Sequence, residues 1–388
     1  MGIRSMRICM YTESALPMLG GQEMVVDALA CRFTKLGHEV TVLAPWPRGG
    51  GRTKDEGLPY QVVRHPRFVS TRRFLDWYGR YLAKAYRNCP FDVLHCHSVY
   101  PTGYIAARCP AIDAVPTVIT SHCGDVCPSS RLLTKPGLPG RYALSLRRAD
   151  AAVAISGFVE QRLRGLCPEI RRVVRLPNGV DVGSFSRPVE RPAGLSPGIR
   201  PGNYFLFLGR LAHRKGADLL LEGFASSNCD RRLHLAVAGD GPKEALLTGR
   251  ASDLGIGDQV HFVGRVEGVV KTWLLQNARC TVIPSRISEG FPLVLLESCA
   301  AGRPVIGTRI PGLGELIRPG RTGLLVAPES PMELGRALGQ MATGHDLPDR
   351  LGAEARRFAR QHDWTRVAQS YVALFAELLG GQRGSQAA

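Results

Sequence analysis

The sequence predicts two α/β domains of the same kind, each built on a parallel sheet that is covered by helices on both faces. The chain has 388 residues, which is too long for one ordinary hydrophobic core. Short apolar, strand-like segments alternate with helix-like segments, and this alternation is typical of parallel sheets. A stretch rich in Pro, Gly and Ser over residues 183–203 interrupts the alternation once and so divides the chain.

The first domain is predicted to comprise residues 1–183. Its opening strand, "MRICMYT", is followed by an amphipathic helix over residues 22–36, and Gly37 fits the position just after the helix end. The later predicted strands are "HEVTVLAP", "FDVLHCH", "PTVITSH", "DAAVAIS" and "RRVVRLP".

Residues 184–202 are predicted to be a linker and residues 203–363 the second domain. The strands of this domain are predicted at "YFLFLGR", "LHLAVAG", "QVHFVG", "CTVIPS", "RPVIGT" and "GLLVAP". A last helix, 364–380, should pack back across the domains, and the tail 381–388 is expected to be disordered. Ligands of such sheets bind at the carboxyl ends of the strands, so we expect a site in a cleft between the two domains.

The charge balance favours an anionic partner. Fifty basic and 33 acidic residues give a net charge of +17, which suits nucleotide phosphates, an anionic membrane surface or nucleic acid. No nucleic-acid motif with stacking aromatics is present. No apolar run is long enough to span a membrane, and the start lacks the pattern of a signal peptide. The expected location is therefore the cytoplasm, either free or peripheral on the inner face of the cell membrane.

The eleven cysteines are scattered through apolar segments, which indicates small buried side chains in a reducing compartment. One cluster offers metal-ligand chemistry, but its spacing matches no standard structural zinc pattern, so no metal is predicted. The cluster consists of His95, Cys96, His97, His122, Cys123 and Cys127.

Two carboxylates, Glu289 and Glu297, bound the apolar segment "EGFPLVLLE". Pro292 suits the first turn of a helix and Gly302 its end, which places Glu289 in the preceding loop and Glu297 inside the helix. The helix N-terminus attracts anions, whereas carboxylates repel a phosphate and accept hydrogen bonds from hydroxyls. We therefore expect one glutamate to bind a sugar and the other a ribose.

Other chemistry-bearing residues follow predicted strands. Arg210, Arg214 and Lys215 lie between a strand and a helix, which is an arrangement suited to an anion. The Gly20–Gly21 pair opens the first helix and allows close approach of a phosphate. His122 follows a strand end and should face the cleft.

Taken together, these segments resemble the retaining glycosyltransferases of glycosyltransferase family four, which have the GT-B fold. The matching motifs, in family order, are "GGQE", "TSHCGD", "AISGFV", "LPNGVD", "FLGRLAHRKG", "AGDGP", "FVGRV", "PSRISEGFPLVLLESCAAGRPVI" and "GLLV". The family's E-x7-E motif matches Glu289 and Glu297. One departure is Cys123, where many relatives have glycine, and this puts the local loop shape in question.

The resemblance implies a nucleotide-sugar donor that is held mainly by the second domain, with acceptor binding assigned to the first. It gives the catalytic positions to Arg210, Lys215, His122 and Glu289. Arg210 and Lys215 would neutralise the diphosphate, Glu297 would bind ribose, and Glu289 would contact the transferred sugar. The remaining implied donor contacts are the backbone around Gly290, Phe291, Pro292 and Leu293, the base-bordering Gly264 and Arg265, and Gly20 and Gly21 near the phosphates.

The inferred reaction is transfer of a sugar to a hydroxyl acceptor with retention at the anomeric carbon, without a metal or other cofactor. Two alternatives stay open: a non-catalytic sugar-nucleotide sensor and a sugar-nucleotide epimerase on the same fold. The sequence leaves open the base, the sugar and the acceptor.

The segment "TRRFLDWYGRYLAKAYRN" predicts an amphipathic helix. Its cationic stripe consists of Arg73, Arg80, Lys84 and Arg87, and aromatic residues flank that stripe. An interfacial helix on an anionic membrane has this pattern. The alternative is a surface helix whose apolar side packs into the core.

Overall fold

The computed structural model describes residues 4–18, 20–47, 55–67, 72–128, 130, 132–227, 229–344 and 346–386, except for the side chains of residues 72–74 and 382–386. The chain divides into two compact units. The first consists of Met1–Asn178 with Trp364–Ala388, and the second is Gly179–Asp363. Both units contain a parallel sheet with helices between its strands, so the predicted fold class is confirmed.

The sheet of the first unit has the strand order β3-β2-β1-β4-β5-β6-β7. The strands are β1 (Arg7–Tyr11), β2 (Glu39–Pro45), β3 (Gln61–His65), β4 (Val93–Cys96), β5 (Thr117–Ser121), β6 (Ala151–Ala154) and β7 (Val173–Arg175). The sequence predicts all of them except β3. This strand lies at the sheet edge and is half-exposed along most of its length, so it lacks the apolar run that marks a buried strand.

Helices connect these strands: α1 (Gly21–Lys35), α2 (Arg72–Asn88), α3 (Tyr104–Ala106), α4 (Leu138–Arg148) and α5 (Gly157–Leu166). Helix α1 lies within one residue of its predicted bounds. It buries the apolar face that includes Val25, Leu29 and Phe33. Gly37 follows it with a φ of +87°, which is the left-handed conformation that glycine adopts at helix ends.

The sheet of the second unit has the strand order β10-β9-β8-β11-β12-β13. Its strands are β8 (Tyr204–Leu208), β9 (His234–Ala238), β10 (Val260–Gly264), β11 (Cys280–Ile283), β12 (Val305–Thr308) and β13 (Gly323–Val326), and all were predicted. Its helices are α6 (Val182–Ser186), α7 (Ala217–Ser226), α8 (Glu244–Asp253), α9 (Gly268–Asn277), α10 (Leu293–Ala300), α11 (Leu313–Leu316), α12 (Pro331–Thr343) and α13 (Leu347–Arg360).

In each sheet the strand order reverses at one place, between β1 and β4 in the first unit and between β8 and β11 in the second. The loops that leave the carboxyl ends of two such strands diverge to opposite faces and leave a crevice between them. The predicted site residues Lys215 and Glu289 lie in the loops after β8 and β11.

The segment 184–202 is not a free linker, so that prediction is wrong. The second unit begins at Gly179, and the segment packs on it. Ile199 is fully buried beside Tyr204 and Trp273, and the Gln276 amide hydrogen-bonds the backbone of Phe185 and Val189. Pro, Gly and Ser indicate irregular backbone, which is different from an absence of packing.

The last helix, α14 (Trp364–Gln386), belongs to the first unit. Tyr371 and Phe375 on α14 pack against Phe33 of α1 and His95 of β4. The helix was predicted to end at 380 and instead continues to Gln386, so the expectation of a disordered tail is wrong for residues 381–386.

All eleven cysteines are free, and eight of them are buried, as expected for small apolar side chains. Among the described residues, none of the helices combines the length and the apolar character that crossing a membrane requires.

Candidate functional site

The loops after β8 and β11 meet through an ion pair. Lys215 ends a short 3-10 turn, His213–Lys215, between β8 and α7. Its Nζ lies 2.6 Å from Oε1 of Glu289, and both side chains are mostly buried. The pair therefore joins the two loops across the crevice between β8 and β11, where the sequence predicted donor-binding residues.

Two glycines allow the backbone around Glu289 to approach its neighbours. A Cβ on Gly216, which has a φ of +67°, would lie 2.0 Å from the carbonyl oxygen of Pro284. A Cβ on Gly312, with a φ of +85°, would lie 1.6 Å from the carbonyl oxygen of Glu289. Only glycine fits both the left-handed conformation and the contact, so these positions hold the loop that carries Glu289 from two sides.

Ser285 is the second partner of Glu289. Its Oγ donates a 2.7 Å hydrogen bond to the same Oε1, and its own carbonyl accepts a 2.6 Å bond from Oγ1 of Thr308. With Lys215 and Ser285 both on Oε1, the Oε2 atom has no hydrogen bond or ion pair to the described residues. Glu289 is thus fixed in place and retains an acceptor for hydroxyl groups.

Arg210 lies in the same loop as Lys215 and differs from it in environment. Its side chain is exposed and has no ion pair or hydrogen bond within the described residues. The loop that carries it packs on the segment after β9, where Leu211 donates a 2.7 Å backbone hydrogen bond to Asp240. The positive charge of the Arg210 guanidinium therefore has no carboxylate partner within the described residues, and Arg210 stands five residues before Lys215 in the chain.

Glu297 lies inside α10 and pairs with a residue that sequence reasoning missed. Nζ of Lys271, on α9, lies 2.6 Å from Oε1 of Glu297. Lys271 also lies 5.6 Å from the ring centre of Phe185. Helix α10 follows Pro292 as its N-cap and precedes Gly302, whose φ is +74°, close to the predicted bounds.

The remaining donor-binding candidates of the second unit divide into two groups. Gly290, Phe291, Pro292 and Leu293 run directly from Glu289 into the first residue of α10. Gly264 ends β10, and the exposed Arg265 pairs at 2.9 Å with Glu267. Strand β10 is at the sheet edge, two strands from β8, so this second group lies apart from the crevice.

His122, after β5 in the first unit, is part of a stack of imidazoles. Its Nε2 lies 3.1 Å from Nδ1 of His97, and the two rings are nearly parallel. His97 in turn lies 4.1 Å from His95, measured between ring centres. Burial lowers the pKa of His122 to about 4 and that of His95 to about 3, so these imidazoles are neutral at pH 7.

Cys123 stands where many relatives have glycine, and the structure shows the backbone shape of its loop. Its φ is +75°, so a cysteine here adopts the left-handed conformation that glycine takes easily. Such a conformation costs a non-glycine residue about 1–2 kcal/mol. The loop therefore keeps the glycine-type backbone in spite of the substitution.

The Gly20–Gly21 pair forms the start of α1, with Gly20 as N-cap. Glu13, between β1 and this helix, was not singled out from the sequence. Burial raises its pKa to about 8, and the charges of Asp125 and Glu23 act in the same direction. Glu13 has no hydrogen bond or ion pair within the described residues. No sequence pattern marks it, because its pKa shift depends on burial in the folded protein and on Asp125, which is distant along the chain.

Within the part of the chain that the structure describes, no group of three or more His, Cys, Asp or Glu side chains is arranged to hold a metal ion. The histidine and cysteine cluster considered from the sequence is instead made of imidazole rings that contact one another and of buried cysteines that form no disulfide.

Two family models match this chain, one in each half. The model for Glycosyltransferase Family 4 matches residues 19–184, and the model for Glycosyl transferases group 1 matches residues 197–358. The Glu289 and Lys215 loops lie in the second match, and His122 lies in the first.

A curated relative spans almost the whole chain. The phosphatidyl-myo-inositol mannosyltransferase of Mycobacterium leprae is 26% identical over 381 residues, which cover 95% of this chain and 96% of that protein.

Solved structures agree in fold. Sucrose-phosphate synthase from Thermosynechococcus elongatus superposes with a TM-score of 0.83 at 20% identity and covers 97% of this chain and 100% of that one. Anabaena HepE in complex with UDP has a TM-score of 0.80 at 19% identity, with 96% and 100% coverage. With one of these models matching each half, the chain belongs to the glycosyltransferases of the GT-B fold, and its first half matches the family-four model.

Proposed function

We propose that this glycosyltransferase is a retaining enzyme that transfers a sugar from a nucleoside-diphosphate sugar to a hydroxyl acceptor. The Lys215–Glu289 pair across the β8–β11 crevice carries the proposal. A lysine and the exposed Arg210 suit the charge of a diphosphate, while a fixed carboxylate suits sugar hydroxyls. HepE was crystallised with UDP and with UDP-glucose, and this supports a donor of the same class here.

Electrostatic stabilisation of the leaving group is the main catalytic device in this proposal. When the bond between the sugar and the diphosphate breaks, negative charge grows on the phosphate oxygen. Arg210, Lys215 and the N-terminus of α10 are the positive groups available to it in the second unit. Each such group could lower the barrier by about 2–4 kcal/mol.

Retention follows from a front-face displacement. The acceptor hydroxyl attacks from the side that the diphosphate leaves, and the departing phosphate oxygen takes the acceptor's proton. Glu289 acts as a binding group, because Ser285 and Lys215 both hold its Oε1. It then binds the transferred sugar through the remaining oxygen and is not a covalent nucleophile.

For the acceptor we propose a glycolipid or polysaccharide intermediate at the inner face of the cell membrane. The relative named phosphatidyl-myo-inositol mannosyltransferase supports a lipid-linked acceptor. Helix α2 supports the membrane surface, because Arg80, Lys84 and Arg87 are exposed on it. In this proposal the first unit receives the acceptor, and His122 lies near the transferred sugar.

A donor screen tests the proposal. Purified protein is incubated with UDP- and GDP-linked hexoses, and both nucleoside diphosphate and sugar products are measured. Release of nucleoside diphosphate, with product of the donor's anomeric configuration by NMR, is the expected result. A changed sugar in an intact donor would indicate an epimerase, and binding without turnover would indicate a sensor. Lys215→Met should abolish release, whereas the exposed Lys35→Met should not.

Metal independence is tested in the same assay. Because Arg210 and Lys215 provide the positive charge, turnover should persist after dialysis against EDTA. A loss of turnover that only Mg²⁺ or Mn²⁺ restores would contradict this part of the proposal.

A further inference from the structure

Arg286, three residues before Glu289 in the loop after β11, has an extensively hydrogen-bonded side chain. Its guanidinium donates to both carboxylate oxygens of Asp218, at 2.6 and 2.8 Å. It also donates to the carbonyl of His213 at 3.0 Å and to Glu329 at 3.1 Å. The side chain is only 10% exposed, so it is enclosed by these partners.

Two of these partners, His213 and Asp218, lie on the other side of the crevice. His213 and Arg214 belong to the turn that ends in Lys215, and Asp218 lies in the first turn of α7. The backbone N–H of Arg286 adds a 2.9 Å hydrogen bond to the carbonyl of Arg214. Both the backbone and the side chain of Arg286 therefore fasten the Glu289 loop to the Lys215 loop.

The charge of Arg286 is already compensated. Hydrogen bonding to Asp218 raises the pKa of Arg286, although burial opposes the rise. Burial works most strongly against ionisation of Asp218, but the hydrogen bonds and the charge of Arg286, together with backbone hydrogen bonds at the start of α7, lower the pKa of Asp218 on balance. Glu329 adds a second carboxylate at 3.0 Å. The side chain of Arg210 has no carboxylate partner within the described residues. The charge of Arg210 is therefore available to a ligand, whereas the charge of Arg286 is already paired.

We propose that Arg286 is a positioning residue for sugar transfer. It holds the loop that carries Glu289 in register with the loop that carries Lys215, and its guanidinium does not bind the donor. The inference rests on the proposed function, because it assigns Lys215 to the diphosphate and Glu289 to the sugar. A displacement of about 1 Å between catalytic groups can cost about a hundredfold in rate.

The test compares Arg286→Met, Arg286→Lys and Asp218→Asn with a matched control, Arg279→Met. Arg279 precedes the same strand, β11, and donates to the carbonyls of Gly202, Met341 and Ala342 at its opposite end. Each variant is assayed for thermal unfolding, for the affinity of UDP and GDP by calorimetry, and for kcat and KM with the donor found in the screen.

The expected result is a split between kcat and nucleotide affinity. Arg286→Met should lower kcat by about ten- to a hundredfold and change nucleoside diphosphate affinity by less than about threefold. Arg286→Lys should not restore kcat, because lysine lacks the two-pronged geometry that fits Asp218. Asp218→Asn should reproduce the kcat loss, and the double variant should be no worse than either single one. Arg279→Met should keep kcat while it lowers the melting temperature.

Other outcomes would overturn the proposal. An equal loss of nucleotide affinity and kcat in Arg286→Met would make Arg286 a direct donor ligand. Wild-type kcat in folded Arg286→Met, or additive effects of the two single variants, would leave it only a structural role. If Arg286→Met does not fold, Asp218→Asn carries the same comparison with the arginine in place.

A crystal structure of Asp218→Asn separates failure of this inference from failure of the proposed function. The inference requires the Lys215–Glu289 contact, 2.6 Å in the parent, to lengthen or break, whether or not the protein turns over a donor. An unchanged contact would contradict it in an active or an inactive protein. An altered contact in a protein that consumes no sugar nucleotide would instead count against the proposed function.

Discussion

Each glutamate of the E-x7-E motif is held by a different lysine, Glu289 by Lys215 and Glu297 by Lys271. Because the lysines differ, removing the charge of Glu289 has a different effect from removing the charge of Glu297. Loss of charge at Glu289 releases the lysine that we assign to the diphosphate. Loss of charge at Glu297 releases Lys271, whose side chain also lies against the ring of Phe185.

We therefore expect Glu297→Gln to raise the donor KM and to weaken nucleoside diphosphate binding, because ribose is remote from the bond that breaks. Glu289→Gln should lower kcat and leave nucleoside diphosphate affinity unchanged or tighter. Loss of a hydrogen bond to a charged group costs roughly 1.5–3 kcal/mol, which changes the affected kinetic or binding constant by about ten- to a hundredfold. Calorimetry and steady-state kinetics measure both. Equal loss of affinity in the two variants would refute this division, and the exposed Glu244→Gln provides the control.

Glu13 predicts a pH dependence of stability. Its carboxyl keeps a proton up to about pH 8 in the folded protein, whereas the ordinary pKa is 4.5. Because the folded pKa is raised, the stability that Glu13 contributes is complete below about 4.5 and is lost as pH rises to about 8. Glutamine cannot ionise, so Glu13→Gln should gain melting temperature relative to the parent between pH 5.5 and 9. A pH-independent difference in melting temperature between Glu13→Gln and the parent would disprove the assignment.

At the scale of elements, the structure shows where the apolar side of the amphipathic helix α2 lies. Leu75, Tyr78 and Leu82 are buried, so the apolar side of the helix packs into the core of the first unit. The alternative of a surface helix is thus correct for that side. The exposed Arg80, Lys84 and Arg87 still present a cationic surface, while the side chain of Arg73 lies outside the described residues.

We expect this cationic surface to bind anionic vesicles. Each basic side chain near such a membrane contributes about 1 kcal/mol, so replacement of Arg73, Arg80, Lys84 and Arg87 by glutamine should largely abolish flotation at low salt. A variant with Arg147, Arg148 and Arg171 replaced by glutamine tests whether net charge alone is responsible. Vesicle binding that is absent in the parent, or equal in both variants, would rule out α2 as the contact.

Local patterns predicted the elements that are regular and buried. Strands such as β8 and β11 have continuous apolar runs, and α10 has proline and glycine at its ends. The segment 184–202 was misjudged because composition indicates backbone irregularity, whereas its packing depends on Trp273 and Gln276 far along the chain.

At the scale of the whole molecule, the candidate site shows the same difference between what local sequence patterns predict and what the fold determines. Arg210, Lys215, Glu289 and Glu297 were identified because they stand in motifs. Lys271, the partner of Glu297, stands in none of these motifs. Ser285 and Arg286 stand in the motif that carries Glu289, but the motif assigns them no role. The site was therefore predictable as a set of groups, and its hydrogen-bond network was not.

The two units also differ in how the chain builds them. The second is one continuous segment, whereas the first needs α14 from the end of the chain. We expect a fragment of residues 179–363 to unfold cooperatively by circular dichroism, and a fragment of residues 1–178 to lack a cooperative transition. Tyr371 and Phe375, which the latter fragment lacks, are at most 2% exposed. A native-like transition in the fragment 1–178 would show that α14 is dispensable.

The position of α14 has a consequence for biosynthesis. Tyr371 bonds Thr120 across 251 residues, so the part of the protein that leaves the ribosome first is completed last. The second unit can fold as it is synthesised, while the apolar side chains of the first unit that contact α14 stay exposed to chaperones and proteases until α14 has been made. A chain interrupted before α14 would contain a finished second unit and an unfinished first one.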